Sequence, residues 1–205
     1  KNMLQIREVA QSDFERIDEL YDQARAFMFS YGNTTQWTNG FPNSSTLIPA
    51  MEKHQAFVCF DDEKENKVVG VFVLADDEPV YTQDTVKWTI DAPYVVIHRL
   101  ASEPGSGAGQ FIFRHVMENY PYIRVDTGES NKPMLHLMDK LGFKYTGTVF
   151  YDRPGGGAHK RTRYLPFYIS YGRIAVAYPP QFAAPLPSLL APTNLQHHAF
   201  SSHSD

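Results

Sequence analysis

Gly105, Ser106, Gly107, Ala108 and Gly109 lie between an apolar run at residues 94–101 and an apolar-periodic stretch at 110–119. The pattern predicts a strand that feeds a glycine turn opening a helix. Such a turn is suited to holding a phosphate: first-turn N–H groups have no intrahelical carbonyl to bond, and residues without bulk let an anion approach them. The alternative is a tight turn that uses glycine for packing alone. Upstream on the strand, His98 shares a face with Val96 and Leu100. An imidazole titrates near neutrality and can take a proton directly or through water, so His98 is a candidate general base. A packed core histidine is the competing reading. Asp126 and Glu129 are further carboxylates within reach of such a site, with roles in shaping the turn as the alternative.

These groups need elements to position them. Residues 123–127, Ile-Arg-Val-Asp-Thr, read as a short strand, and the segment from Asn131 to Leu141 reads as a helix over 132–141. Pro133 suits its first turn, and Gly142, followed by Phe143, suits a left-handed cap just past its end. The ordered set of strand, glycine turn, helix, strand, Asn-led helix and Gly-Phe resembles the GNAT superfamily of acetyl-CoA-dependent N-acetyltransferases over residues 3–168. Residues 104–109 (Pro-Gly-Ser-Gly-Ala-Gly) match the superfamily's phosphate motif, and residues 131–143 match its Asn-led helix.

The resemblance implies an α/β fold of α+β type: a mixed, mostly antiparallel central sheet with helices on both faces, in which a splayed parallel strand pair holds the acyl-CoA. That pair is 93–101 and 122–127 here. It implies acetyl-CoA or CoA as cofactor, with Gly105, Ser106, Gly107, Ala108, Gly109 and Gln110 at the pyrophosphate. Backbone groups of Leu100 and Ala101 would lie along the pantetheine and thioester, and Asn131 would be a polar contact beside its role as a helix cap. Some arylalkylamine-acetylating members carry a histidine in a strand position similar to His98. The implied activity is transfer of an acetyl group to a primary amine of a small molecule or amino acid, by direct attack in a ternary complex.

Two departures stand out. Pro104 replaces the usual Gln or Arg, and Met138 occupies the helix position where many members carry a proton-donating tyrosine; a thioether cannot donate that proton. Tyr145, Tyr151 and Tyr164 are candidate replacements. Met138 also motivates a second reading, a CoA-binding regulatory or sensor domain with weak or no chemistry. An interaction module organised by the C-terminal segment is a third.

The remaining chain supplies a frame and an acceptor pocket. Alternation at 4–9 predicts an opening strand, and Phe14, Ile17, Leu20, Tyr21, Ala24 and Met28 predict a helix after Ser12 and Asp13. A shorter helix is expected from Ser44 or Ser45 through Met51, followed by strands at 55–60 and 67–75. A hairpin arm is expected at 81–90, and a closing antiparallel pair at 144–151 and 159–167. Tyr31, Trp37 and Phe41, with Phe27 and Phe29, crowd the connection between the first two helices. Tyr31, Trp37, Phe41 and Glu129 are therefore the candidate acceptor-binding residues, with core packing as the alternative for the aromatics.

Composition narrows the classes. With 205 residues and 42% hydrophobic content the chain can bury one sizeable core, expected within 1–170, and a formal net charge of −4 gives no electrostatic footprint for nucleic acid. The basic run at 159–163 reads as a solvated face or a helper for CoA phosphates. Cys59 is the single cysteine, so no internal disulfide forms, and its apolar surroundings read as core. No leader pattern opens the chain and no apolar run reaches membrane-spanning length, so a cytoplasmic location without membrane contact is expected. No metal site is expected. Residues 171–205 hold five prolines and His197, His198 and His203, and read as a Pro-rich extension wrapping its own domain or a neighbouring subunit, which leaves a homodimer open.

Overall fold

The computed structural model describes residues 3–88 and 92–151. Strands β1 (Leu4–Glu8), β2 (Ala56–Asp61), β3 (Lys67–Ala75), β4 (Val95–Ser102) and β5 (Ile123–Arg124) form one sheet in the order β1-β2-β3-β4-β5. The first three pairings are antiparallel and β4–β5 is parallel. Helices α1 (Phe14–Ser30), α2 (Ile48–Glu52), α3 (Ala108–Asn119) and α4 (Lys132–Lys140) flank the sheet. This is the mixed, mostly antiparallel architecture with one parallel pair that the sequence predicts.

Each face of the sheet has its own core. On one side Ile17, Leu20 and Tyr21 of α1 pack with Leu47, Val58, Val71 and Val73. On the other, Ile112, Phe113 and Val116 of α3 pack with Phe72, Leu74, Ile97, Ile123 and Met138. β3 therefore meets apolar layers on both sides, which explains its nearly continuous apolar sequence. Gly70 sets the spacing of β3 and α3: a Cβ there would stand 3.1 Å from Ile112 Cδ1 and 3.3 Å from Ala108 Cβ.

Helix ends obey local rules. The Asp13 carboxylate accepts from Ala10 N–H at 2.8 Å and from both terminal nitrogens of Arg7, fixing the entry to α1. At its exit, Gly32 N–H bonds Phe29 O and Asn33 N–H bonds Met28 O, with Gly32 at φ +88°. α4 ends the same way: Gly142, at φ +86°, bonds Asp139 O, Phe143 N–H bonds Met138 O, and the Phe143 and Met138 side chains share one core. Both are paired-hydrogen-bond left-handed caps with a glycine at the turning position.

Two expectations fail. Over its described residues, 81–88, the hairpin arm is instead a 3-10 turn at Pro79–Thr82 followed by a bridge from Val86 to Gly147; 89–90 lie outside the described residues. Pro79 has no N–H for a ladder, and Glu78 caps the turn by accepting from Val80 N–H. Residues 144–151 form no strand; they hydrogen-bond to 83–87 through Lys87 N–H to Thr146 O and Gln83 to both backbone groups of Phe150. Their expected partner at 159–167, the basic run at 159–163, Tyr164 and the extension at 171–205 lie outside the described residues.

Candidate active site

The parallel pairing of β4 with β5 consists of Val95 with Ile123 and Val96 with Arg124, and it stops there. Beyond it the strands have no ladder between them, and Ile97, His98, Leu100, Val125, Asp126 and Thr127 line a cavity of about 310 Å³. A bulge in β4 widens the opening. Val71 pairs with Ala101 and Val73 with His98, so two steps on β3 face three on β4, and Arg99 takes φ +50°. Four consecutive residues, Ile97 to Leu100, line the cavity as a result. A regular strand would send alternate ones to the opposite face.

Around His98 the cavity holds an acid–base cluster. His98 Nε2 lies 3.0 Å from Glu78 Oε2, an ion-pair distance. Burial pushes the Glu78 carboxyl up, but hydrogen bonding and charge from His98, the Val80 N–H and the charge of Arg99 outweigh it and hold the group below the usual carboxylate range. Opposite stands Asp126, whose Oδ1 accepts from Tyr81 and from Tyr151, the latter at 3.0 Å. Burial raises the Asp126 carboxyl above its ordinary value, and the nearby His98 and the two tyrosine hydroxyls only partly oppose that. Tyr81 is itself pushed well above the ordinary phenol range, first by burial and then by Asp126, so it stays a donor.

The glycine turn lies next to this cavity. Gly107 occupies the N-cap of α3 at φ +75° and Gly105 sits at φ +76°; a Cβ on either would meet nothing within 4 Å, so the space over the turn is open. Ser106 Oγ donates to Glu103 O and accepts from Ala108 N–H, bracing the loop. The first intrahelical bond is Phe111 N–H to Gly107 O, so the N–H groups of Gly109 and Gln110 precede the helical ladder. Leu100 and Phe113 connect the two regions: both line the cavity, and Leu100 Cδ2 would lie 4.0 Å from a Cβ on Gly109. The turn thus has open space and a helix start, with Leu100 between it and the cavity, and it fits a phosphate-bearing ligand.

Asn131 caps α4, accepting from Met134 N–H at 3.3 Å, and donates to Thr127 Oγ1 at 3.1 Å; it also lines the cavity. Tyr31 reaches the cavity wall through a 3.3 Å hydrogen bond to Asn131 Oδ1. Trp37 and Phe41 line the cavity directly, Trp37 with its edge packed against Tyr21. Glu129 is not among the lining residues, and Ala101 is turned into the α1-side core. Phe27 and Phe29 are exposed. Met138 is buried in the α3-side core, whereas Tyr151 presents a hydroxyl in the cavity.

Two residues escaped the sequence reading. Glu78 ends an Asp76-Asp77-Glu78 run that resembles a solvated turn, and only the fold sets it against His98. Arg99 sits on a strand where alternation would point it away from His98, and the bulge that redirects it carries no glycine signal.

Neither a family model nor a curated protein sequence matches the chain. Solved structures do. An acetyltransferase of the GNAT family from Streptococcus agalactiae is 26% identical with a TM-score of 0.68, covering 84% of this chain and 98% of its own. A GNAT-family acetyltransferase from Listeria monocytogenes gives 16% identity and a TM-score of 0.54 over 82% of this chain and 92% of its own. A Salmonella typhimurium protein described as an acetyltransferase, solved with its cofactor acetyl-CoA, gives 16% and 0.52 over 86% and 97%. The chain has the GNAT acetyltransferase fold.

Proposed function

We propose that the chain is an acetyl-CoA-dependent N-acetyltransferase whose acceptor is a primary amine on a small molecule or amino acid, attacking directly in a ternary complex. The observation that carries the reading is the opening between β4 and β5, with a glycine-capped helix start at one side and the His98–Glu78 pair at the other. The likeness to acetyltransferases in fold supports it.

Acetyl-CoA, when bound, supplies an activated thioester. Residues 105–110 would hold its pyrophosphate, the unpaired edge of β4 at Leu100 and Ala101 its pantetheine arm, and Asn131 a polar group. The protein's own part is to deliver a neutral amine. His98 Nε2 faces Glu78, which leaves Nδ1 to accept the ammonium proton. Tyr151 lines the cavity and stands in for the tyrosine that Met138 replaces; its hydroxyl proton, given to Asp126 Oδ1 at 3.0 Å, would have to turn to the leaving thiolate. The aromatic wall of Trp37 and Phe41 excludes water around these groups.

Amine-dependent thiol release from acetyl-CoA tests the proposal. Release with formation of an acetylated amine supports it; tight binding of acetyl-CoA with no release from any amine would favour the CoA-binding sensor reading instead.

A further inference from the structure

Arg99 is the cation of the cavity wall. Its Nη1 donates to Thr46 O at 2.9 Å and its guanidinium stands 5.6 Å from the Phe41 ring centroid, and no carboxylate pairs with it among the described residues. Arg7, Arg16 and Arg25, by contrast, each pair with an Asp or Glu. A guanidinium has five N–H donors in a planar fork; Thr46 O takes one of them, and Arg99 is among the residues lining the cavity. It reaches that position only because Arg99 adopts φ +50°, a conformation that costs a non-glycine residue about 1 kcal/mol or more. Glycine could make the same bulge without strain, but it would bring no charge.

Glu78 and His98 supply the groups that would stabilise and deprotonate an ammonium; Arg99, on the same wall and close enough for its charge to reach Glu78, supplies a guanidinium suited to a carboxylate held by two parallel N–H···O bonds. Met28, Trp37 and Phe41 supply apolar surface alongside. A volume of about 310 Å³ suits a small molecule rather than a protein segment.

We propose that the acceptor is a free amino acid with an apolar side chain, recognised as a zwitterion, with Arg99 holding the carboxylate and so determining specificity. The proposal rests on the acetyl-transfer reading for its chemistry, but the recognition can be measured without it.

The test uses the full chain and matched pairs: phenylalanine against phenethylamine, and leucine against 3-methylbutylamine. Thiol release from acetyl-CoA should show kcat/KM for each amino acid above that of its decarboxylated twin by about tenfold or more, the discrimination expected when a charged donor would be left unpaired. Arg99→Gln should bring that ratio to about one through KM, and Arg99→Lys should restore part of it. Calorimetric binding of phenylalanine should show the same dependence on Arg99. Twins used equally, or an Arg99→Gln variant that slows both alike, would overturn the proposal and leave acetyl transfer standing. Binding of phenylalanine that depends on Arg99, with no thiol release from any acceptor, would sustain the recognition and overturn the transfer reading.

Discussion

At the scale of residues, His98 and Asp126 face the same cavity with opposite tasks. His98 has Glu78 3.0 Å away and, in the proposed reaction, takes the proton of the incoming amine; Asp126 is a half-buried carboxyl that accepts from two tyrosine hydroxyls. His98→Ala should lower turnover by roughly 100-fold, at the lower end of general-base contributions, while acetyl-CoA affinity by calorimetry stays near the parent value. A packed core residue would instead show lowered melting and ordinary kinetics. For Asp126 the sign follows from burial. Its folded-state carboxyl holds its proton to higher pH than the ordinary 3.8, so the stability it contributes is complete below that value and is lost as pH rises through the raised one. Asp126→Asn keeps an oxygen acceptor for both hydroxyls and cannot ionise. The variant should therefore gain in melting temperature over the parent as pH rises from about 4 to 7, read by thermal denaturation across that range. His98 was legible as a candidate because a lone imidazole on an apolar strand is conspicuous; Glu78 was not, because an acidic run before a proline looks like solvated surface until the fold places it.

Among the elements, the glycine turn and the start of α3 carry the ligand expectation. Gly107→Asp places a side chain at φ +75° and a negative charge where phosphates are expected, so acetyl-CoA affinity should fall by about tenfold or more in a protein that still folds. Gly70→Val tests the frame beneath. Its added Cβ would crowd Ile112, Cys59 and Ala108 at 3.1–3.3 Å, all in a sealed layer, and denaturant unfolding should show a loss of about 2 kcal/mol. The helix caps at Gly32 and Gly142 and the apolar stripe of α1 follow local rules, and the sequence is informative there. β5 is different: only Ile123 and Arg124 pair, although 123–127 reads as one strand, because the ladder to β4 ends where the cavity opens. The bulge at Arg99 left no trace in composition, since arginine is not a residue that favours positive φ. Long-range geometry, not local propensity, decides both.

At the level of the whole molecule, two helical layers clamp a five-stranded sheet among the described residues, and a cavity opens where the parallel pair β4–β5 ends. This arrangement was readable because the order of turn, helix and strand types carries it. The pocket's charge pattern was not, since Glu78, Arg99 and Asp126 come from three separate segments. Residues 171–205 are proposed as an extension to a complete domain, so a chain ending at Ser170 should bind acetyl-CoA and transfer acetyl as the full chain does, with its mass in solution showing whether the extension holds copies together. The central claim, that this fold and this cavity move an acetyl group to an amine, is tested most directly by following thiol release from acetyl-CoA by the full chain across a panel of amines and amino acids. The prediction is acceptor-dependent release matched by acetylated product and suppressed in His98→Ala. Acetyl-CoA that binds but yields no thiol with any acceptor would contradict it.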